Sequence, residues 1–566
     1  MKILLLSGMG PVWPQGSAFW DSNMLKDTFI NKETYHSGLK RKIKMDDFYY
    51  VKEDEKIPLM RPRLEGEPHL TTAVLEDILN KCDCEYETLD LDNVWFEKRE
   101  PNMDNPDAIF LSTTFICNLK DLEIALKWIE ERYPNTMIAL GGQYSNLKYQ
   151  KIMDKFKNVN YVLRGDGEIS IPPLVESLKG NLGEKEVPNL VWRTSDGNVE
   201  VNNLEYLNLD DYPVADFKTK STSVPYESMR GCAFACKFCS FPAASPKWRI
   251  KSAEKIMNDW NFYKKQGVKR IKAMDSAFTA PRKRTEQLLD MLKGKDIEWE
   301  AYSRADVIDS PEIVKKLEDA NCRVLSIGFE SLSDDTLKKM NKRVTAEQNR
   351  RANELLIKHS KNLDFRGSFI VGFPGETPED YQKTHDFLVN DFEKQFHLSV
   401  FSLTDETMPI WKESDLYDLK VEDMDNPDYN WSHCGMDAKR ARELHQKTLY
   451  DVRWKNEKGV ATEWQLPYQL PLIPTLTANQ NYRIEKLIER LAFVTVDFKD
   501  EPEKIEKITR DIVDELETFG IFIGREKSKY TEEQFKDLYE NHDVDKNIIS
   551  EMTCKPKEEK EQFNDR

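Results

Sequence analysis

Three closely spaced cysteines are the clearest sign of chemistry in this chain. They are Cys232, Cys236 and Cys239, spaced C-x3-C-x2-C. Thiolates are the preferred ligands of iron–sulfur clusters and of zinc. Four cysteines would close a metal site, whereas three leave one metal position open for another ligand. The spacing therefore predicts an iron–sulfur cluster. The alternatives are a zinc site completed by a distant residue such as Cys322 or His433, and three buried free thiols.

A predicted strand leads directly into the cysteine loop. It covers residues 224–230 and is the first of six predicted strands that alternate with predicted helices. The other five are at 268–275, 297–304, 322–330, 365–373 and 396–403. The series predicts a barrel or partial barrel, although the pattern also fits a doubly wound open sheet. In a barrel of this type the chemistry lies at the carboxyl ends of the strands, which is where the cysteines fall.

Before residue 198, short apolar strands again alternate with amphipathic stretches. The predicted strands are at 2–8, 108–114, 137–142 and 160–165. Predicted helices begin after Asn118, a candidate N-cap, and near Glu168. The alternation predicts a parallel, doubly wound sheet, in which ligands bind at the carboxyl ends of the strands. Small residues and glycines at these ends would let the backbone approach a ligand closely.

The cysteine segment resembles the radical S-adenosylmethionine (radical SAM) superfamily, because Cys232-x3-Cys236-x-Phe238-Cys239 follows a strand and precedes a βα series. The resemblance implies that the three cysteines bind a four-iron, four-sulfur cluster and that the amino and carboxylate groups of S-adenosylmethionine chelate its unique iron. One electron then cleaves that molecule to methionine and a 5′-deoxyadenosyl radical, which abstracts hydrogen from the substrate.

Later segments are also similar to this superfamily, namely YSRADVI (302–308), IGFESLSDDTLKKMNK (327–342) and GSFIVGFPGETPEDY (367–381). The resemblance implies that Ser303, Arg304 and Glu330 bind S-adenosylmethionine at strand ends. Arg304 would pair with its carboxylate and Glu330 would accept from its ribose hydroxyls. The alternatives are a surface salt bridge for Arg304 and a helix N-cap partner for Glu330.

The N-terminal region looks like the cobalamin-binding class of radical SAM enzymes. The segments that carry this resemblance are LSTTFICNL (111–119), IALGGQYSNL (138–147) and NYVLRGDGEISIPPLVESL (160–178). It implies that residues at the strand ends bind cobalamin: Ser112, Thr113, Thr114, Gly141, Gly142, Gln143, Gly165, Asp166 and Glu168. The alternative is a Rossmann-like domain that has lost its ligand.

One departure concerns the lower ligand of the cobalt. The motif Asp-x-His-x-x-Gly of other cobalamin proteins is absent near the first strand, and members of the radical class often lack it too. His69 is the nearest histidine, but a lone histidine is more often structural. We therefore expect cobalt to carry water or nothing on that face.

Composition limits the partners. The formal net charge of −17 disfavours a nucleic-acid surface. We expect no membrane span, because no run of about 18 apolar residues occurs, and no signal peptide. Nine unevenly placed cysteines do not form a disulfide framework, so we expect a cytoplasmic protein.

These observations predict an α/β protein with three domains, a linker and a tail. A doubly wound, Rossmann-like cobalamin-binding domain (1–197) and a linker (198–222) precede a partial (βα)6 radical SAM barrel (223–405), a mainly helical C-terminal domain (406–552) and a disordered tail (553–566). The C-terminal domain is rich in aromatic residues, which either grip a substrate or form core.

The predicted activity is methyl transfer from methylcobalamin to an unactivated carbon or phosphorus. The substrate would be a small molecule or a peptide, and the electron would come from a donor such as flavodoxin or ferredoxin. Cyclisation or oxidation with the same cofactors is one alternative. A cobalamin-binding sensor or carrier with a structural cluster is another. No catalytic side chain is assigned from the sequence.

Overall fold

A computed structural model describes residues 1–8, 28–30, 32–52, 55–59, 61–62, 68–91, 94, 99–116, 118–217, 221–403, 406–422, 430–462, 468–469, 473 and 476–524. The predicted tail at 553–566 and the end of the predicted C-terminal domain lie outside these residues.

The N-terminal part is built on a seven-stranded sheet. Its strands are β1 Lys2–Ser7, β2 Glu85–Asp90, β3 Ala108–Ser112, β4 Met137–Gly141, β5 Tyr161–Leu163, β6 Leu190–Arg193 and β7 Val199–Val201. Their order is β7-β6-β5-β4-β3-β1-β2. The five strands from β5 to β2 pair in parallel, and β6 and β7 add an antiparallel edge.

Helices cover both faces of this sheet. They are α1 Leu70–Leu79, α2 Leu119–Arg132, α3 Gln143–Lys155 and α4 Gly167–Leu178. Side chains of a strand alternate between faces, so Ile3 and Leu5 pack with α1 and α4, whereas Leu4 and Leu6 pack with α2 and α3. The sheet is therefore doubly wound, as predicted. Asn118 caps α2 by accepting from the backbone of Asp121 at 2.8 Å.

The second sheet has seven strands that all run in parallel. They are β8 Ser223–Tyr226, β11 Arg270–Ala273, β12 Glu298–Arg304, β13 Cys322–Glu330, β14 Asp364–Val371, β15 Gln395–Val400 and β16 Val460–Ala461, in that spatial order. A short antiparallel ribbon, β9 Met229–Arg230 with β10 Arg249–Ile250, follows β8. The first six strands were predicted. Within the described residues no pairing joins β8 to β16, so the barrel is open.

Helices form the outer layer of this partial barrel. They are α5 Phe241–Ala244, α6 Ala253–Lys265, α7 Arg282–Leu292, α8 Pro311–Asp319, α9 Asp334–Lys339, α10 Ala346–His359 and α11 Pro378–Asn390. The core between strands and helices is aromatic, with Trp260, Phe278 and Trp299 at one side and Phe329, Phe369 and others at the other.

The C-terminal helices are α12 Ser414–Tyr417, α13 Ala438–Lys455, α14 Ala478–Asp497 and α15 Pro502–Thr518. α13 packs beside α11 and precedes β16, so this region supplies the seventh barrel strand. Smaller strands lie at Thr34–His36, Arg41–Ile43, Phe48–Lys52, Glu55–Pro58, Arg61–Pro62, Lys420–Val421, Trp431–Ser432, Tyr468–Gln469 and Ile521–Ile523.

The described residues within 28–59 share a core with α14 and α15. Phe48 and Ile57 are buried against Leu487 and Leu491 of α14, and Phe48–Lys52 pairs with Ile521–Ile523. None of the described helices is both apolar and long enough to cross a membrane.

Candidate active site

The cysteine loop connects the two strands of the β9–β10 ribbon. Arg230 and Arg249 face each other across the ribbon, and Cys232 follows two residues after Arg230. Gly231 has a φ of 78°, and a Cβ there would lie 2.8 Å from the Lys247 carbonyl oxygen. Only glycine therefore lets the returning chain at 245–247 approach closely.

Asp275, after β11, supports the base of the ribbon. Its carboxylate accepts from the backbone N–H groups of Ser228 and Met229 at 2.7 and 3.0 Å and from the Ser228 hydroxyl at 2.5 Å. Burial raises the pKa of Asp275 to about 6, although these hydrogen bonds oppose the rise. Ser276 adds a hydrogen bond to the Gly231 carbonyl at 2.9 Å.

The three thiols lie in one shielded environment. Cys236 is buried, and Cys232 and Cys239 are half-buried. Burial raises the pKa of Cys236, and it raises the pKa of Cys239 to about 11, with the neighbouring thiols contributing to both shifts. Within the described residues, no three potential ligands converge on a single metal ion. A four-iron cluster does not require such convergence, because each thiolate binds a different iron.

Neither residue proposed to complete a zinc site is available. Cys322 begins β13, whose other end carries Glu330, and its buried thiol donates to the Val324 carbonyl. His433 is buried, with Nδ1 accepting from Gly375 and Gly435 and Nε2 donating to the Gly372 carbonyl at 3.2 Å. The donor set therefore fits the cluster better than zinc.

The predicted S-adenosylmethionine residues lie beside this loop. Arg304 ends β12 and its guanidinium stacks on the Phe234 ring at 3.9 Å. It donates to the Lys342 carbonyl at 2.7 Å and to Asp306 at 3.0 Å. Arg304 is 5% exposed, so its salt bridge to Asp306 is largely buried on the side of the arginine. In this arrangement it holds the cysteine loop against the segment at 340–342.

Glu330 ends β13 and pairs with Lys342 Nζ at 2.8 Å. It is 7% exposed, and its φ of 63° is unusual for a residue with a side chain. Non-glycine residues in this region often mark functional sites. Ser303, on β12, shares a hydrogen bond with Thr279 at 2.9 Å. The strand ends therefore bring Ser303, Arg304 and Glu330 to the same edge as the cysteines.

The segment after α9 clamps the loop from the opposite side. Lys237 N donates to the Met340 carbonyl at 2.9 Å, and Asn341 Nδ2 donates to the Ala235 carbonyl at 2.8 Å. Neither Met340 nor Asn341 was singled out from the sequence, since only the fold brings them to the loop.

The carboxyl edge of the N-terminal sheet carries the first group of predicted cobalamin residues. Ser112 ends β3, and Thr113 donates to the Gly141 carbonyl at 2.8 Å and contacts Ser145. A Cβ on Gly142 (φ 107°) would lie 2.8 Å from Thr114 N. These contacts bind the β3 and β4 loops together.

Open space remains at this edge. A Cβ on Gly141 would meet nothing within 4 Å, and Gly142 and Gln143 are exposed. The backbone at Gly141 is thus free to approach a large ligand, and the assignment of these residues to cobalamin stays a prediction.

Gly165, Asp166 and Glu168 follow β5 at the same carboxyl edge, but the two carboxylates are engaged with the cysteine ribbon. Asp166 precedes α4 and binds Arg249 through both of its oxygens, at 2.5 and 3.0 Å. Glu168 binds Arg230 in the same two-pronged way, at 2.9 and 2.5 Å. Gly165 (φ 70°) makes the turn between β5 and α4. Their assignment to cobalamin stays a prediction, but in this structure both carboxylates are occupied by arginines of the ribbon that carries the cysteines.

His69 precedes α1 near the end of β1. Its Nε2 lies 4.0 Å from the Asp90 carboxylate, and its ring packs edge-on against Phe115. Nδ1 is buried and has no hydrogen-bond partner among the described residues. Cys82 and Cys84 are half-buried near the amino end of β2, at the opposite edge of the sheet.

The two candidate sites lie on the same side of the molecule. α3 begins at the open edge of the N-terminal sheet, and Asn146 on it donates to the Ala244 carbonyl of α5, just after the cysteine loop. Lys148 and Lys151 of α3 both pair with Glu406 beyond β15. The helix that begins at the open edge of the sheet therefore contacts the segment that follows the cysteine loop.

The open lumen of the barrel is lined with polar side chains. Strand register aligns Tyr302, Ser326 and Arg366 in one row and Gly328, Ser368 and His397 in the next. Tyr302 is 45% exposed although it lies in a central strand. The opposite faces of these strands carry the apolar core.

The aromatic residues of the C-terminal region are mainly structural where they are described. Trp431 is buried, stacks on His433 at 5.2 Å and donates to the Phe401 carbonyl. Trp454 packs on Phe498. Tyr429 and Trp464 lie outside the described residues.

Comparison with known proteins identifies the class. Residues 226–388 match the sequence profile of the Radical SAM superfamily. These residues therefore form a radical SAM domain, and the resemblance of the cysteine segment to that superfamily is confirmed. An uncharacterised methyltransferase of Pyrococcus horikoshii is 28% identical over 299 residues, which are 50% of this chain and 64% of the relative. The chain thus spans less than two thirds of that relative.

Two solved structures share the whole fold. One is the radical S-adenosylmethionine methyltransferase TsrM from Kitasatospora setae, with cobalamin and a [4Fe-4S] cluster bound. It has a TM-score of 0.54 and 13% identity, over 91% of this chain and 99% of that one. The other is the cobalamin-dependent S-adenosylmethionine radical enzyme OxsB with aqua-cobalamin, with a TM-score of 0.56 and 15% identity over 97% and 80%. The predicted fold class is confirmed.

Proposed function

We propose that this protein is a cobalamin-dependent radical SAM methyltransferase. The observation that carries the proposal is that three shielded thiols lie in a loop whose following segment contacts the helix at the open edge of a Rossmann-like sheet. The fold it shares with TsrM, whose structure holds both cobalamin and a [4Fe-4S] cluster, supports the same pair of cofactors here.

Each cofactor has candidate residues. Cys232, Cys236 and Cys239 would hold the cluster, and Ser303, Arg304 and Glu330 would contact S-adenosylmethionine. The edge formed by 112–114 and 141–143 would hold cobalamin. When bound, the cluster would supply the electron that splits S-adenosylmethionine, and cobalamin would carry the methyl group.

For each methyl group transferred, one S-adenosylmethionine would leave as S-adenosylhomocysteine. A second would leave as methionine and 5′-deoxyadenosine, which retains the hydrogen removed from the substrate. An external donor such as flavodoxin or ferredoxin would supply two electrons. The polar lumen favours a small molecule or peptide that carries polar groups, and a cytoplasmic setting remains a prediction.

The test is anaerobic reconstitution with iron, sulfide and cobalamin, followed by incubation with S-adenosylmethionine bearing a trideuterated methyl group, a reductant and a low-molecular-mass cell extract. Methyl transfer predicts S-adenosylhomocysteine, 5′-deoxyadenosine and a labelled product. 5′-Deoxyadenosine without the other two would instead indicate cyclisation or oxidation. If neither nucleoside forms, the protein is a sensor or carrier and the proposal fails.

A further inference from the structure

A buried group of charges joins the N-terminal domain to the cysteine ribbon. This arginine–carboxylate cluster consists of Asp166, Glu168, Glu227, Arg230 and Arg249. The Asp166 and Glu168 side chains are each 3% exposed, and those of Arg249 and Arg230 are 10% and 18% exposed. Glu227 completes the group by accepting from Arg230 Nε at 3.1 Å.

The contacts are directional. Arg249 donates to both oxygens of Asp166, and Arg230 donates to both oxygens of Glu168. Each planar guanidinium thus forms a bidentate pair, or fork, with a planar carboxylate. Such paired hydrogen bonds fix orientation as well as distance. A buried ion pair is weak evidence for added stability, because desolvation offsets most of its attraction. Its directionality is therefore the more informative property here.

The cluster grips both strands of the ribbon at the same register. Arg230 and Arg249 are cross-strand partners, and the segment between them contains all three cysteines. On the other side, Asp166 and Glu168 occupy the N-terminus of α4, where negative charge is favoured. Asp166 also accepts from Leu207 N at 3.0 Å, and Arg249 donates to the Leu207 carbonyl at 3.1 Å, which ties the interdomain segment to the same point.

We propose that Asp166 and Glu168 are positioning residues, which fix the cysteine ribbon relative to the open edge of the N-terminal sheet. They act through Arg230 and Arg249. The positional part of this proposal stands on these contacts alone. The consequence for turnover rests on the proposed function. If the ribbon is displaced, S-adenosylmethionine would still be cleaved, but fewer cleavage events would lead to methyl transfer from cobalamin to the substrate.

Hydrogen–deuterium exchange of the full chain tests the positional part. Asp166→Asn and Glu168→Gln keep side-chain shape but weaken the forks. We expect exchange over 229–250 to be about tenfold faster in either variant. The control is Asp451→Asn, which weakens the ion pairs of a buried carboxylate on α13 with Lys447, Lys455 and His385 of α11, and should leave 229–250 unchanged. Unchanged exchange in both test variants, or the same acceleration in the control, would overturn the proposal.

Arg249→Lys against Arg249→Ala separates geometry from charge. Lysine keeps the charge but cannot form the fork. We expect both variants to show the same rapid exchange, and full protection in Arg249→Lys would overturn the positional role of the fork.

The ratio of 5′-deoxyadenosine to S-adenosylhomocysteine tests the consequence for turnover. In Asp166→Asn, at unchanged iron content, we expect this ratio to rise several-fold; an unchanged ratio would overturn the coupling. If wild-type protein yields neither nucleoside, the proposed function fails, and the exchange data still decide the positional part.

Discussion

At the scale of single residues, three neighbouring side chains contact the cysteine loop and fix its position. Arg304 stacks on Phe234, Asn341 donates to the Ala235 carbonyl, and Ser276 donates to the Gly231 carbonyl. Every one of these contacts orders the loop without using a thiol. The sulfur atoms therefore stay available for metal.

Replacing one thiol should abolish cluster binding. We expect Cys236→Ala to lose most of the iron and the visible absorbance after anaerobic reconstitution, and to form no 5′-deoxyadenosine, because two thiolates cannot hold the cluster firmly. Iron and sulfide analysis with optical spectra measures this. Cys434→Ala is the matched control, since Cys434 is exposed and outside the loop. A fully loaded Cys236→Ala protein would contradict the assignment.

His69 should not be a cobalt ligand. Its Nδ1 is buried and its Nε2 lies 4.0 Å from the Asp90 carboxylate, so that carboxylate would compete with cobalt for Nε2. We expect His69→Ala to leave the electron paramagnetic resonance spectrum of bound cob(II)alamin unchanged, without nitrogen hyperfine splitting in either protein. Splitting that is present in the wild type and lost in the variant would show that His69 coordinates cobalt.

At the scale of elements, the GFPGE segment (372–376) after β14 is a turn locked by His433. Gly372 and Gly375 have φ values of 87° and 83°, and a Cβ on either would strike Trp431 or Tyr417. His433 Nδ1 accepts from the backbone N–H of Gly375 in the turn and from that of Gly435 in its own loop, and its Nε2 donates to the Gly372 carbonyl. The His433 ring is therefore neutral in the folded protein, because an Nδ1 that accepts hydrogen bonds carries no proton.

This ring makes stability depend on pH. Burial lowers the pKa of His433 to about 4, although its hydrogen bond to Gly372 opposes the shift. The unfolded chain binds a proton below about pH 6.5, whereas the folded protein does so only near pH 4, so stability is lost as the pH falls through this window. Between pH 7 and pH 5 we expect this histidine to account for a loss of about 2 kcal/mol.

Denaturant unfolding at pH 7 and pH 5 measures the loss. His433→Gln keeps an acceptor near the turn but does not titrate, so its stability should change less between the two pH values. An equal change in wild type and variant would contradict the role of His433.

The periodicity of the sequence predicted most strands and missed those without a pattern. β13 was predicted with its observed bounds, 322–330, because nine residues alternate or stay apolar. β2 at Glu85–Asp90 was missed since only Leu89 in it is fully buried, as was β16, which has two residues. Edge strands bury less and so leave less periodicity to read.

At the scale of the whole molecule, two distant segments form one core. Residues 28–59 pack on α14 and α15, and His36 Nε2 hydrogen-bonds the Leu491 carbonyl at 3.0 Å. Residues 28–59 are thus part of the C-terminal structure, although they precede most strands of the N-terminal sheet in the sequence.

A cavity in this shared core should destabilise both the segment at 28–59 and the C-terminal helices. We expect Leu491→Ala to cost about 2–5 kcal/mol and to speed hydrogen exchange within 48–52. Leu126→Ala, in the core of the N-terminal sheet, is the control, with a similar cost but no effect on 48–52. Unchanged exchange there in Leu491→Ala would contradict a shared core.

The sequence by itself determined the ligand chemistry and most of the strands of both sheets. The spacing of the three thiols after a strand can be recognised from a short stretch of sequence, and so can the alternating apolar runs of both sheets. Tertiary structure decided what those residues face. It placed Asp166 and Glu168 on two arginines beside the cysteines, and residues 28–59 on helices near the other end of the chain. The local sequence pattern cannot predict these contacts, because each of them joins segments that are far apart along the chain.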